Sequence, residues 1–194
     1  KTGVITTLAG AALSFETGDG GPATDASLNQ PAGIFVDRAG NVYIADEGHR
    51  RVRRVDGATG VITTVAGNGE SGDTGDGGPA TDAKFRRPTS VFVDSAGTLY
   101  ISDWFDGRVR KVDAATGILS LVAGDSGRGH SADGEVATDA SLTYPRGLCV
   151  NAAGALYVAE DSNGLIRKVD AQTGTLATVA GNVESTAAGD GGSA

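Results

Sequence analysis

Few side chains in this sequence are of the types that do chemistry. Trp104-Phe105 sets two aromatics side by side between Asp103 and Asp106. Adjacent aromatics in a loop are suited to anchoring a protein or glycan partner. The competing use for Trp104 is packing onto a neighbouring part of the fold, because large aromatics are seldom left in water. Asp73-Thr74-Gly75-Asp76-Gly77-Gly78 offers two carboxylates among glycines. Calcium takes roughly six to eight oxygens, and the run lacks the D-x-D-x-D-G spacing with a closing Glu. Copy to copy the ligand positions drift, with Glu16-Thr17 and His130-Ser131 where Asp73-Thr74 stands. Turn formation by Gly and capping by Asp account for the same residues. No cofactor is expected, and calcium is the one metal left open.

Asp46, Asp103 and Glu160 each precede an arginine by the same step, at Arg53, Arg110 and Arg167. Their recurrence predicts a structural role, accepting loop N–H groups or pairing with those arginines. Catalysis needs one asymmetric site built from different groups. Cys149 is the only cysteine, so no internal disulfide forms. A nucleophile needs a neighbouring base, and His49 and His130, the only histidines, both fall in loop-like stretches. Cys149 is expected to be a small buried hydrophobe.

These residues are positioned by a repeat. Pro31, Pro88 and Pro145 are 57 residues apart, and so are Gly10, Gly67, Gly124 and Gly181, and Asp19, Asp76, Asp133 and Asp190. A fixed period of this size marks a repeat architecture. Within the unit, Gly33–Asp37 is an apolar first strand expected to be buried on both faces. The Ala39-Gly40-Asn41 turn leads to a second strand over Asn41–Asp46. Arg51–Asp56 alternates Val with Arg, which predicts a third strand with one buried and one wet face. Gly60–Ala66 is the fourth strand, and residues 1–9 repeat its pattern. Pro22-Ala23-Thr24-Asp25-Ala26-Ser27-Leu28 predicts one helical turn opened by proline.

Short glycine turns between consecutive strands favour antiparallel hairpins over a parallel solenoid. Four such strands per repeat describe a propeller blade. Pro-x-Gly-[Ile/Leu]-x-Val at 31–36 and 145–150, Ala-Gly-Asn-Val-Tyr-Ile-Ala-Asp at 39–46 and Arg-Val-Arg-[Arg/Lys]-Val-Asp at 51–56 and 108–113 resemble NHL-repeat propellers, as do the ITTVAGN and GDGGPATDA stretches, whose style is that of bacterial and teneurin-type NHL proteins. The chain departs from that pattern at Ser90, where the family prefers Gly, at Glu160, and at the SADGEVATDA run. The resemblance implies an all-β β-propeller of three complete four-stranded antiparallel blades plus an extra outer strand, part of a six-bladed ring. The expected division is an outer strand with its linker over 1–30, blade 1 over 31–87, blade 2 over 88–144, and blade 3 with a terminal loop over 145–194.

The chain has 194 residues, 31 of them Gly, and a formal net charge of −8. That balance argues against nucleic acid and anionic membrane surfaces as partners. No apolar run approaches the ~18 residues of a bilayer span, so no membrane insertion is expected. No leader sequence is seen within these residues. The family resemblance and the acidic Gly/Asp/Thr-rich surface predict an extracellular, periplasmic or cell-surface location.

In a meander blade the second-to-third loops and the long linkers emerge on one face. They vary among copies, whereas the turns of the opposite face (RAGN, SAGT, AAGA) are short and uniform. Function on a rigid scaffold concentrates in variable loops. The predicted working face therefore carries Trp104, Phe105, Asp106, His49, Arg50 and Asn163. The leading expectation is a non-enzymatic scaffold that binds a protein or glycan there. A second is a structural subunit of a fibre or homo-oligomer built through open blade edges, the spare outer strand adding to another sheet. A third is a metal-dependent enzyme resembling propeller lactonases and lyases, with its site in other blades. The channel entries here, Asn29-Gln30, Arg86-Arg87 and Thr143-Tyr144, bring no acid or histidine.

Overall fold

A computed structural model describes residues 3–11, 18–127 and 129–182. Glu16-Thr17 and the terminal loop beyond 182, both considered above, lie outside the described residues. The chain forms three antiparallel four-stranded sheets. Blade 1 holds β1 (Pro31–Val36), β2 (Val42–Asp46), β3 (Arg51–Val55) and β4 (Ile62–Ala66). Blade 2 holds β5 (Pro88–Val93), β6 (Leu99–Asp103), β7 (Arg108–Val112) and β8 (Leu119–Ala123). Blade 3 holds β9 (Pro145–Val150), β10 (Leu156–Glu160), β11 (Leu165–Val169) and β12 (Leu176–Ala180). Strand order follows sequence order in every sheet, as expected of a meander. No helix among the described residues is long and apolar enough to cross a membrane.

The same registers recur in each blade, including a bulge where the first strand enters and another where the third meets the fourth. The expected helical turn is a short 3-10 segment over Ala23–Asp25, with Pro22 just before it, and recurs over Ala80–Asp82. Neither turn has a side-chain cap.

The blades pack face to face, β1 and β2 against β5, then β5 and β6 against β9. Ala45, Val52 and Ala66 of blade 1 meet Ala83 and Phe85 of the linker that follows and Val91 and Ile101 of blade 2. Val109 and Ala123 meet Ala140, Leu142, Leu156 and Val158 in the same way. Burial on both faces therefore depends on having a neighbour. Val91 and Val93 of β5 are 4% and 6% exposed, whereas Ile34 and Val36 of β1 are 70% and 55% exposed. The first strand of blade 1 is thus not buried on both faces, because no described blade precedes it. Cys149 is likewise exposed, contrary to its expected burial. It occupies the position of Phe35 and Phe92, whose rings lie 4.8 Å apart across the blade 1–blade 2 junction, and no described blade follows Cys149.

Two further expectations are corrected. Residues 3–9 form no ladder and are not a fourth strand, since no third strand lies beside them. Nor do the third strands keep their arginines wet: Arg53, Arg110 and Arg167 are fully buried. A guanidinium can be buried only when paired, and each of these has acidic partners.

Candidate functional site

The second strand of each blade ends in a buried carboxylate that ties down the linker arriving at that blade's own first strand. Asp103 accepts the backbone N–H groups of Arg86 (2.7 Å) and Arg87 (2.8 Å). Asp46 accepts that of Asn29 (2.8 Å), and Glu160 that of Thr143 (3.4 Å). Each also faces the buried arginine, at 3.5 Å for Asp46–Arg53, 3.8 Å for Asp103–Arg110 and 3.5 Å for Glu160–Arg167. Both roles expected of these acids, accepting loop N–H groups and pairing with arginine, are therefore present. The arginines reach outward as well: Arg53 to Asp19 at 2.5 Å and Arg167 to Asp133 at 3.3 Å.

His49, Asp106 and Asn163 share one repeat position and complete this arrangement. His49 Nδ1 lies 2.9 Å from Asp46 Oδ2. Asn163 Nδ2 donates to Glu160 Oε2 at 2.6 Å. Asp106 sits among Arg86, Arg108 and Arg110, at 3.4, 3.7 and 3.4 Å. Burial pushes the carboxyls of Asp103, Asp106 and Glu160 above their usual range, against the pull of those hydrogen bonds and arginines. Three of the six predicted site residues thus serve the scaffold from within. Arg50 adopts a left-handed backbone (φ 55) and donates from Nη1 to the Gly69 carbonyl at 3.3 Å. Among the described loop acids, Asp73 lies near Arg86, and Asp19 and Asp133 face buried arginines. Such a donor set does not fit calcium, which needs oxygens turned toward one centre.

Trp104 and Phe105 remain at the surface. Phe105 is 38% exposed, and its ring lies 6.2 Å from that of Trp104. Trp104 stacks on Tyr144, with centroids 4.5 Å apart and planes 24° from parallel. The Arg87 guanidinium lies over the Trp104 ring at 4.9 Å. Arg87 also donates from Nε to Glu47 Oε1 at 2.7 Å. A continuous row, Glu47–Arg87–Trp104–Tyr144, therefore crosses all three blades on the face predicted to work, with Phe105 beside it. Arg87 and Tyr144 were absent from the predicted set. The signal for them was their place immediately before Pro88 and Pro145, at the channel entries.

The sequence matches the family described as Teneurin NHL domain over residues 11–72 and 123–190. The chain belongs to the NHL-repeat family. This NHL chain is 31% identical to mouse teneurin-1 over 178 residues, 84% of the chain and 6% of that protein. It is 28% identical to bovine NHL repeat-containing protein 2 over 163 residues, 78% of the chain and 22% of the relative. It is also 30% identical to the Arabidopsis thaliana chloroplastic protein SUPPRESSOR OF QUENCHING 1, covering 76% of the chain and 14% of that protein. The chain thus spans a small part of each relative. Among solved structures, a Bacteroides thetaiotaomicron protein of unknown function superposes with TM-score 0.63 at 22% identity, covering 81% of this chain and 37% of that one. A streptogramin B lyase superposes with TM-score 0.52 at 15% identity, covering 78% and 40%. At these identities the structural likeness concerns the propeller fold.

Proposed function

We propose that this NHL propeller segment is a non-enzymatic scaffold that binds a protein or glycan through the face bearing Trp104, Phe105, Arg87 and Tyr144. The observation that carries the proposal is the contrast between that row and the acids beneath it. Asp46, Asp103 and Glu160 are consumed by backbone N–H groups and arginines, while the aromatic and charged groups above them stay accessible. Partly buried aromatics held rigidly by their neighbours, with an arginine among them, are the side chains that dominate interface energies. Stacking on Tyr144 fixes the Trp104 rotamer before any partner arrives, which lowers the entropic cost of binding. His49, Arg50, Asp106 and Asn163 contribute by holding the loops that present this row. The acidic, glycine-rich surface favours an extracellular, periplasmic or cell-surface setting, although one relative carries a chloroplast designation.

The test is binding of the purified chain to a glycan array and to a displayed random-peptide library. Ligands that Phe105→Ala weakens by at least about ten-fold, with the unfolding midpoint unchanged, support the proposal. Ligands that bind equally to Phe105→Ala and Trp104→Ala variants would place the working surface elsewhere.

A further inference from the structure

We propose that the groove between blades 2 and 3, on the face of the short turns, binds a small organic carboxylate. Tyr100, Lys111 and Val122 of blade 2 and Leu156, Val169 and Ala171 of blade 3 line it, around a cavity of about 260 Å³. Both walls belong to complete four-stranded blades. The groove is distinct from the row of Arg87, Trp104 and Tyr144, which lies on the opposite face. Pockets for drug-sized ligands run to roughly 300–1,000 Å³, so the ligand here is smaller.

The repeat shows how this place is satisfied elsewhere. Arg54, Lys111 and Lys168 share one position on the third strands. Arg54 Nη2 donates to Asn41 Oδ1 (3.0 Å) and Asp56 Oδ2 (3.1 Å). Lys168 pairs with Asp170 at 3.2 Å. In blade 2, Thr98 stands where Asn41 does. Among the described residues, Lys111 Nζ makes no hydrogen bond or ion pair. Asp113, the counterpart of Asp56, feels its charge from beyond pairing distance. A half-buried ammonium left in this way is a ready partner for an anion.

A second donor lies on the facing wall. Gly57 N–H donates to Asn41 Oδ1 at 3.1 Å. Ala171 is its counterpart in blade 3, where Ala155 stands in the place of Asn41. Among the described residues, the Ala171 N–H donates to no acceptor. An ammonium on one wall and an amide N–H on the other suit the two oxygens of a carboxylate. Asp170 also lines the groove. Its charge is taken up by the N–H groups of Gln172 and Thr173 and by Lys168. Leu156 and Val169 belong to the buried cluster between these blades, with Val122 and Tyr100 packed against it. The Tyr100 hydroxyl is bonded to Asp94, which leaves its ring as wall. The body of the ligand is therefore compact and apolar.

The test titrates the intact chain with benzoate, and with benzamide as its uncharged counterpart, at matched ionic strength. Amide NMR shifts give the readout. Benzoate should produce saturable shifts at Lys111, Val122, Val169 and Ala171, with a Kd of about 1 mM or tighter. Benzamide should bind at least about ten-fold more weakly. Lys111→Met should weaken benzoate by at least about ten-fold and leave benzamide unchanged. Ala155→Asn gives the Ala171 N–H the acceptor that Asn41 gives Gly57, and should weaken benzoate by about three-fold or more. That second variant carries the test if Lys111→Met fails to fold. Equal affinity for benzoate and benzamide would overturn the proposal, as would shifts confined to residues outside the groove. So would an absence of saturation by about 10 mM, or benzoate binding that neither substitution alters.

Discussion

Trp104 stacks on Tyr144 at the same place in the repeat where Glu47 pairs with Arg87. Both contacts join the loop after a blade's second strand to the residue just ahead of the next blade's first strand. One junction is closed by an ion pair and the other by aromatic rings, within an otherwise equivalent backbone. Trp104 is therefore both the candidate anchor and a joint between blades 2 and 3, and its two roles can be separated.

Trp104→Ala should lower stability by about 1–2 kcal/mol, from lost aromatic stacking and the lost cation–π contact with Arg87. Phe105→Ala should change stability by no more than about 0.5 kcal/mol, as for an exposed loop residue. Urea unfolding of the two variants, set beside their binding, distinguishes anchor from joint.

Arg110→Met should be the most damaging single change among the polar residues of blade 2. It leaves Asp103 and Asp106 buried without their shared cation. Breaking a buried pair by removing one partner costs about 3–5 kcal/mol. Chemical denaturation of the variant measures it, and the further substitution Asp106→Leu should recover part of the loss.

Stability should be greatest at mildly acidic pH. Burial raises the folded-state pKa values of Asp103, Asp106 and Glu160 above the usual 3.8 and 4.5. The folded chain takes up their protons first, so these groups subtract stability at neutral pH and cease to do so as pH falls through their folded values. Asp170 acts in the opposite sense. The backbone N–H groups of Gln172 and Thr173 hold it at about 2. Its contribution is complete above 3.8 and is lost as pH falls through about 2. Urea midpoints recorded from neutral to strongly acidic pH should rise and then fall, and Glu160→Gln should flatten the neutral-side slope.

Gly124→Ala should cost more than about 2 kcal/mol. Gly124 has φ +96, and an added Cβ would run into the Gly107 carbonyl oxygen and lie 2.8 Å from the Arg108 Cα. Backbone strain and collision with main chain then act together. A thermal scan of the variant checks it.

Strand positions were legible because the alternation and the glycine turns are local. β2, β3 and β4 begin or end within two residues of their expected bounds. Burial was not local. Ile34 and Val91 look alike in sequence, and only the presence of a preceding blade makes them differ. The internal roles of His49, Asp106 and Asn163 were hidden because three dissimilar side chains fill one position, each meeting its carboxylate or arginine neighbours differently. The Val/Arg alternation of the third strands suggested a wet face. What it could not show was that Asp19 and Asp133, far away in sequence, come down to meet the arginines.

Two of the junction contacts fall inside a single 57-residue unit counted from proline: Glu47 and Arg87 within 31–87, Trp104 and Tyr144 within 88–144. A gene that gains or loses one such unit by recombination at the prolines keeps both halves of these two fastenings together. A crossover falling between the two halves would instead set a glutamate against a tyrosine, or a tryptophan against an arginine without its acid.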